Sequence, residues 1–206
     1  SSVKKPASVN LSWGMNTGPH DGTSLFDLAV ESLVGEGKIV VGSSGNSANS
    51  QIHIQADLAG DTMYTWAYDS RRNNYDSEEV YCDFWGSPNQ EFGLSVALFD
   101  TLGDKVIESP FYLSTSGGAY RKMFINGLDT LTVTLLPNAS YAGNDKGEIL
   151  VLVKSTNAQK NRIRIGIAGN GTVHGWNSGQ PYRWTTGSFT NVVRGNDYAS
   201  NPKYLR

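Results

Sequence analysis

Apolar residues near the start of the chain recur with the period of a helix. Four of them fall on one helix face: Leu25, Leu28, Ala29 and Leu33. This spacing predicts a helix over about residues 23–34. Ser24 followed by Asp27 predicts a capping box at its start, in which each side chain binds a free backbone N–H near the other residue.

Two short apolar runs flank the predicted helix, at residues 9–11 and 38–42. The segment Ile39-Val40-Val41 lacks alternation of apolar and polar residues, so we expect a strand that is buried on both faces. A strand, a helix and a second strand in this order are typical of an α/β sheet. In such sheets the functional loops follow the carboxyl ends of the strands.

From about residue 51 to residue 176 the helical period is absent and short strand-like runs recur between turn-forming residues. The predicted strands are 51–56, 62–67, 80–84, 93–99, 121–125, 130–136, 148–154, 162–168 and 172–176. Segments 131–135 and 162–167 alternate apolar and polar residues, so each is expected to place one face in a core. The sequence therefore predicts a mainly β fold, a jelly-roll-like antiparallel β-sandwich with a short strand-helix-strand α/β flank.

Composition indicates a folded chain without a basic surface. Of the 206 residues, 38% are hydrophobic and 11% aromatic, and the formal net charge is -2. This charge does not indicate a basic surface that would bind nucleic acid or an anionic membrane. No apolar run is long enough to span a bilayer. The single cysteine, Cys82, excludes an internal disulfide and is expected to act as a small buried hydrophobe. We expect no cofactor and no metal.

Small and polar residues follow both apolar runs of the flank. The first run leads into Ser12-Trp13-Gly14 and the second into Ser43-Ser44-Gly45-Asn46. With the helix between them, these motifs resemble the catalytic domain of the subtilisin-like serine proteases. In that family a strand ending in Ser-x-Gly, a helix, and a strand ending in small residues and Gly-Asn follow one another. The resemblance covers residues 8–46.

The resemblance implies a role for each motif. Ser12-Trp13-Gly14 would line the substrate channel and pair with the substrate backbone as an added strand. Trp13 is bulkier than the usual aliphatic residue, which implies a narrowed or altered pocket. Ser43-Ser44-Gly45 would form a wall of the primary specificity pocket. Asn46 would donate its side-chain N–H to the oxyanion, and losing such a donor costs about 3 to 4 kcal/mol of barrier.

The same residues also suit simpler structures. Ser-x-Gly after a strand is ordinary turn chemistry, and Gly45-Asn46 is itself a strong turn signal. The segment Gly42-Ser43-Ser44-Gly45 would suit a phosphate-binding loop if a helix followed it. An alternating strand, 51–56, is predicted there instead.

The chain lacks the groups that cut a peptide bond in this family. The family order places Asp and His before the Asn-bearing strand and Ser in a Gly-Thr-Ser context after it, and no such segment follows Asn46. Ser24 in Gly22-Thr23-Ser24 is explained as a helix cap. The chain has three histidines: His20, His53 and His174. None has a Ser and a carboxylate at a family spacing, so we expect structural roles for them.

Three parts of the chain follow from this interpretation. Residues 1–50 are expected to be part of a subtilisin-like catalytic domain, residues 51–176 an inserted β-sandwich, and residues 177–206 a return segment toward the catalytic domain. Some members of the family carry a jelly-roll domain between the Asn-bearing strand and the Ser segment. The chain resembles such an insert with its leading flank attached.

Three roles for the sandwich remain open: it could restrict access to the catalytic cleft, bind carbohydrate or bind calcium. The aromatic candidates for carbohydrate are Trp66, Tyr68, Trp85, Trp176, Tyr182 and Trp184. Aromatic residues of all-β domains are more often core residues than ligand platforms. The acidic candidates for calcium are Asp57, Asp61, Asp69, Asp76, Glu78 and Glu79. Their spacing differs from that of a calcium loop, and solvated turns explain them better.

The functional prediction is a fragment of a subtilisin-like serine endopeptidase, with peptide-bond hydrolysis by the parent protein and no activity in this chain alone. The alternative is a non-enzymatic β-sandwich module that binds carbohydrate or protein. The expected partners are a peptide or protein substrate of the parent, with no nucleic acid and no membrane. The apolar surface of the flank also predicts self-association. The expected location is secreted or in the cell envelope.

Overall fold

The computed structural model describes residues 5–46, 52–69, 77–100, 104–156, 161–177 and 182–185. In this part of the chain a small α/β flank precedes an antiparallel β-sandwich. The predicted fold class is therefore confirmed, while the jelly-roll order of the strands stays a prediction. No helix in the described ranges is long and apolar enough to cross a membrane.

The flank consists of strand β1 (Ala7–Leu11), helix α1 (Leu25–Leu33) and strand β2 (Lys38–Gly42). The two strands pair in parallel, with Val9 opposite Val40. Ser24 caps the helix: its Oγ accepts from the backbone N–H of Asp27 at 3.1 Å and donates to Asp27 Oδ2 at 2.6 Å. The helix and the cap predicted from the sequence are confirmed.

The expectation that the segment 39–41 is buried on both faces is wrong. The side chains of Ile39 and Val41 are 57% and 51% exposed. Helix α1 contains no buried residue, and Leu33 on its apolar face is 63% exposed. The reason is that β1 and β2 form a sheet of only two strands, and no described segment covers its faces.

Ten strands form the sandwich, and all their pairings are antiparallel. They are β3 (His53–Asp69), β4 (Ser77–Pro88), β5 (Phe92–Asp100), β6 (Lys105–Glu108), β7 (Tyr112–Leu113), β8 (Tyr120–Asn126), β9 (Asp129–Asn138), β10 (Lys146–Thr156), β11 (Asn161–Asn177) and β12 (Tyr182–Thr185). The main path runs β12-β3-β11-β4-β10-β9-β8, and β5 branches from β11 to pair with β6 and β7.

Four of the predicted strands belong to only two long strands of the structure. Segments 51–56 and 62–67 belong to β3, and segments 162–168 and 172–176 belong to β11. These strands pair with each other along most of their length, with a bulge between Ala168 and Asn170. Gly60 and Gly169 adopt positive φ at the bend, so glycines that resemble strand ends in the sequence serve as bend points inside a continuous strand.

The core lies on the inner face of the ten-stranded sheet. Leu131, Val133 and Leu135 of β9 are fully buried, as are Ile163, Ile165 and Ile167 of β11. Both predicted alternations, 131–135 and 162–167, are thus confirmed. Cys82 is a buried free thiol, as expected, and burial raises its pKa well above the ordinary value.

Close packing at Gly175 of β11 yields a prediction of stability. A Cβ at this position would lie 2.5 Å from a ring carbon of Phe84, whereas a Cβ at Gly117 would meet no atom within 4 Å. We expect Gly175→Ala to lower the free energy of unfolding by about 1 to 3 kcal/mol, because the ring of Phe84 is fully buried and has little room to shift. Urea denaturation measures the change. The matched control Gly117→Ala should stay within about 0.5 kcal/mol of the parent, and equal losses in both variants would contradict the prediction.

Candidate functional site

The two sequence motifs of the flank lie side by side. Ser12-Trp13-Gly14 follows β1 and Ser43-Ser44-Gly45-Asn46 follows β2, and the carboxyl ends of these parallel strands share one edge. The backbone N–H of Ser43 donates to the carbonyl oxygen of Leu11 at 3.1 Å. The structure thus brings together the residues that the sequence analysis selects, and their catalytic and binding roles stay predictions.

Asn46 is exposed at the end of its motif, directly after Gly45 with a φ of 83°. This positive φ is the conformation expected of a turn, so the turn interpretation of Gly45-Asn46 applies to the backbone. The turn leaves the amide side chain of Asn46 in solvent. The next described element is the strand β3, which disfavours a phosphate-binding loop.

Trp13 and Gly14 line a cleft of about 640 Å³ between the flank and the sandwich. Trp13 is 64% exposed and meets the ring of Phe26 edge-on, with ring centroids 6.0 Å apart. The opposite wall is the outer face of β4 and β10. It consists of Tyr81, Asp83, Trp85, Glu148 and Leu150, with Tyr141 beside them. Strand register explains this wall, because Glu148 is opposite Trp85 and Leu150 is opposite Asp83.

Polar contacts hold the flank against this wall. The backbone N–H of Gly18 donates to Asp83 Oδ2 at 2.7 Å. Lys146 Nζ lies 2.7 Å from Asp21 Oδ2 in an ion pair. Burial raises the pKa of Asp21, but hydrogen bonds from Lys146 and Thr23 outweigh that effect and lower its pKa to about 2. Asp21 therefore remains ionised, and paired with Lys146, over the physiological range.

Asp83 and Glu148 form a pair of carboxyl groups at the base of the cleft. Burial raises the pKa of Asp83, although the N–H of Gly18 opposes this. Burial, followed by the negative charge of Asp83, raises the pKa of Glu148 to about 7. Ionising both carboxyl groups brings two like charges together and is unfavourable. The pair therefore retains one proton to a higher pH than an isolated carboxyl group would.

All three histidines converge on Trp176 of β11. His20 of the flank stacks on Trp176 with ring centroids 4.3 Å apart, and His53 stacks on it at 4.7 Å. His53 Nε2 lies 3.0 Å from His174 Nδ1. Burial and then the positive charge of Lys146 lower the pKa of His174. The described residues contain no group of three or more His, Cys, Asp or Glu that could hold a metal ion.

The sequence analysis missed both the histidine cluster and the carboxyl pair. Each depends on strand register: His174 is opposite Trp85, and Trp176 is opposite Asp83. One signal was available. In β4 the buried Val80, Cys82 and Phe84 alternate with Tyr81, Asp83 and Trp85, which shows a second set of large and acidic side chains on the outer face.

The three aromatic candidates for carbohydrate binding whose side chains are described give no open platform. Trp66, Trp85 and Trp176 are buried. The side chains of Tyr68, Tyr182 and Trp184 lie outside the described part of the chain, as does most of the predicted return segment 177–206. Of the acidic residues considered for calcium, Asp57 and Asp61 contact Thr172 and the backbone of Ala59. Asp76 and the side chains of Asp69 and Glu78 are outside the described part.

Comparisons with known proteins indicate a protease-related fold. No protein-family profile matches the chain, and no curated protein matches it. Among solved structures, it is similar to the CspB protease of Clostridium perfringens, with a TM-score of 0.61 and 17% sequence identity. The match covers 92% of this chain and 39% of that chain. At this identity the likeness shows a shared fold, and the chain spans about two fifths of the length of the CspB chain.

The raised pKa of Glu148 predicts how stability depends on pH. Because its pKa rises from 4.5 to about 7 on folding, the folded chain keeps a proton that the unfolded chain loses in this range. The contribution of Glu148 to the free energy of unfolding is therefore present below pH 4.5 and is lost as the pH rises through 7. We expect the stability of Glu148→Gln relative to the parent to increase between pH 5 and pH 8. Urea unfolding midpoints of both proteins at the two pH values measure this difference.

The difference between the two proteins is the informative quantity in this test, because His174 acts in the opposite direction. Its lowered pKa favours the folded state as the pH rises, equally in the parent and the variant. Glu79→Gln, on the exposed end of the same strand β4, is the matched control and should parallel the parent. A Glu148→Gln profile parallel to that of the parent would contradict the assignment.

Proposed function

We propose that this chain is part of a subtilisin-like serine endopeptidase, in which the flank contributes to the active site and the sandwich is an inserted accessory domain. The observation that carries the proposal is the parallel pairing of β1 and β2. It sets Ser12-Trp13-Gly14 and Ser43-Ser44-Gly45-Asn46 at one sheet edge. The likeness to the CspB protease over 92% of the chain supports the same origin.

The geometry suits recognition of an extended peptide. Residues 12–14 are exposed and continue from the end of β1, so a substrate backbone can approach them as an added strand. The segment 43–45 is exposed beside them and consists of small residues, which leave room for a substrate side chain. Trp13 and Phe26 narrow this region on the side of the helix.

Asn46 would supply one electrostatic element of catalysis. Its side-chain amide is exposed at the end of the second motif, where it can donate to an oxyanion. The nucleophile, its base and the orienting carboxylate would come from other segments of the parent protein, because acyl transfer requires all three. The chain alone would bind and position a substrate without cutting it.

The exposed apolar surface of the flank supports a larger α/β core around it. A helix and a sheet of one α/β layer bury their apolar faces against further elements, yet Leu25, Leu33, Ile39 and Val41 are all more than half exposed here. In the parent protein these side chains would be covered by the rest of the catalytic domain. In the isolated chain they would be available to a second copy.

The test of this function uses the product of the complete reading frame. We expect an upstream Asp and His, a downstream Ser in a Gly-Thr-Ser segment, and labelling of that Ser by a fluorophosphonate probe. Asn46→Ala should then lower kcat by about 10² to 10³-fold, which corresponds to about 3 to 4 kcal/mol, with little change in KM. Peptide hydrolysis with a fluorogenic substrate measures both constants.

Asn126→Ala is the matched control for Asn46→Ala. Asn126 is likewise an exposed asparagine, but it lies in the hairpin between β8 and β9. Its replacement should leave kcat and KM unchanged. A reading frame without the three triad residues, or full activity in Asn46→Ala, would refute the proposed function.

The isolated 206-residue chain should self-associate through the flank. Leu28→Lys places a charge on the apolar face of α1, where Leu28 is 45% exposed, and should shift the chain toward the monomer. Sedimentation equilibrium at several concentrations measures the change. Leu128→Lys, at a highly exposed leucine in the β8–β9 hairpin, is the control and should keep the parent's association. A monomeric parent at high concentration would contradict this proposal.

A further inference from the structure

We propose that the cleft between the flank and the sandwich binds a guanidinium or ammonium group, such as that of a basic side chain. The site is formed by Asp83 and Glu148 at its base and by aromatic walls. It shares Trp13 with the proposed substrate region but does not rest on the protease role, because its carboxyl groups and its other aromatic walls belong to the sandwich. None of the roles considered above for Ser12, Asn46 and the other motif residues uses these carboxyl groups.

The first argument is that buried polar atoms in the cleft lack complete hydrogen bonding. Asp83 is only 1% exposed, and Gly18 satisfies one of its oxygens, Oδ2. Oδ1 of Asp83 and the indole Nε1 of Trp85 are both buried and lack a well-aligned hydrogen bond among the described residues, although the indole N–H is close enough to Asp83 to lower the pKa of that carboxyl group. Glu148 accepts a long hydrogen bond of 3.5 Å from Asn138. Buried polar groups of this kind are usually satisfied, so their presence in a cleft indicates a missing partner.

The second argument is that no cationic side chain among the described residues forms an ion pair with these two carboxyl groups. Lys146 is paired with Asp21 at 2.7 Å, and His20 is stacked on Trp176, from where its positive charge would favour ionisation of Asp83. No ion pair of the described residues includes Asp83 or Glu148. The missing partner is therefore expected to be a donor from outside the described residues, and a positive charge would favour ionisation of both carboxyl groups.

The third argument comes from the walls, which select an organic cation. Trp13, Tyr81, Trp85 and Tyr141 line the cleft, and the rings of Trp85 and Tyr141 meet edge-on at 5.2 Å. Aromatic faces attract guanidinium and ammonium groups through their quadrupoles and pack against the aliphatic stem of a basic side chain. A metal ion would need several converging ligands, and the described residues provide no such group. The volume of about 640 Å³ accommodates an amino-acid side chain with its backbone.

The test titrates the 206-residue chain by calorimetry with Nα-acetyl-arginine amide, Nα-acetyl-lysine amide and Nα-acetyl-citrulline amide. Citrulline has nearly the shape of arginine and no charge. We expect saturable binding of at least one charged compound, and binding of citrulline amide that is at least tenfold weaker. Glu148→Gln and Asp83→Asn should each weaken the charged compound about 10 to 100-fold, because each removes a charge-assisted hydrogen bond.

Two further arms complete the design. Glu79→Gln removes an acidic charge on the same strand outside the cleft and should leave the affinity unchanged. A pentapeptide with a central arginine distinguishes a polypeptide ligand, which would bind more tightly than arginine amide, from a small free cation, which would not. Unfolding midpoints identify a carboxyl variant that loses binding because it misfolds. In that event Trp85→Phe is measured in its place and tests the aromatic wall of the cleft. Equal binding of citrulline and arginine amides, unchanged affinity in Glu148→Gln, or no saturable binding would overturn the proposal.

Discussion

The pairing of β11 is the constraint on which the ten-stranded sheet depends. Over its length this strand pairs with β3, while its first half also pairs with β5 and its last residues with β4. The change of partner occurs at Gly169, where φ is 140° and a Cβ would lie 2.6 Å from the carbonyl oxygen of Glu91. Only glycine fits this position without strain, so the point at which β11 changes partner depends on a residue without a side chain.

The position of the flank follows from this change of partner in β11. After the bend, β11 sets Trp176 opposite Asp83 on the outer face of β4. Trp176 receives the ring of His20, and Asp83 receives the backbone N–H of Gly18. The flank is otherwise exposed, and these two contacts fix it to side chains of β11 and β4. The packing of those strands in the sandwich determines where the two side chains lie. The geometry of the cleft is therefore determined by the register of strands far from β1 and β2 in the sequence.

Local sequence signals predicted local structure well and long-range packing poorly. The capping box of Ser24 and the alternation at residues 131–135 need only neighbours in the chain, and both are confirmed. The predicted burial of the segment 39–41 was wrong, because burial depends on which layers pack against a strand, and the pattern of apolar residues does not determine those layers. The pairing of Asp83 with Glu148 was missed for a related reason: these residues are adjacent only through the register of β4 and β10.

The two carboxyl groups of the cleft differ in how far structure alone explains them. Asp83 has a structural reason to be buried, since its Oδ2 fixes the loop at Gly18 and thereby the start of the flank. Glu148 has no such reason: its hydrogen bond from Asn138 is 3.5 Å long, and its other hydrogen-bonding neighbour, the carboxyl group of Asp83, disfavours its charge. A glutamine would occupy the same space without the repulsion. The proposed cation between the aromatic walls would offset the free-energy cost of an acid at this position by using its charge.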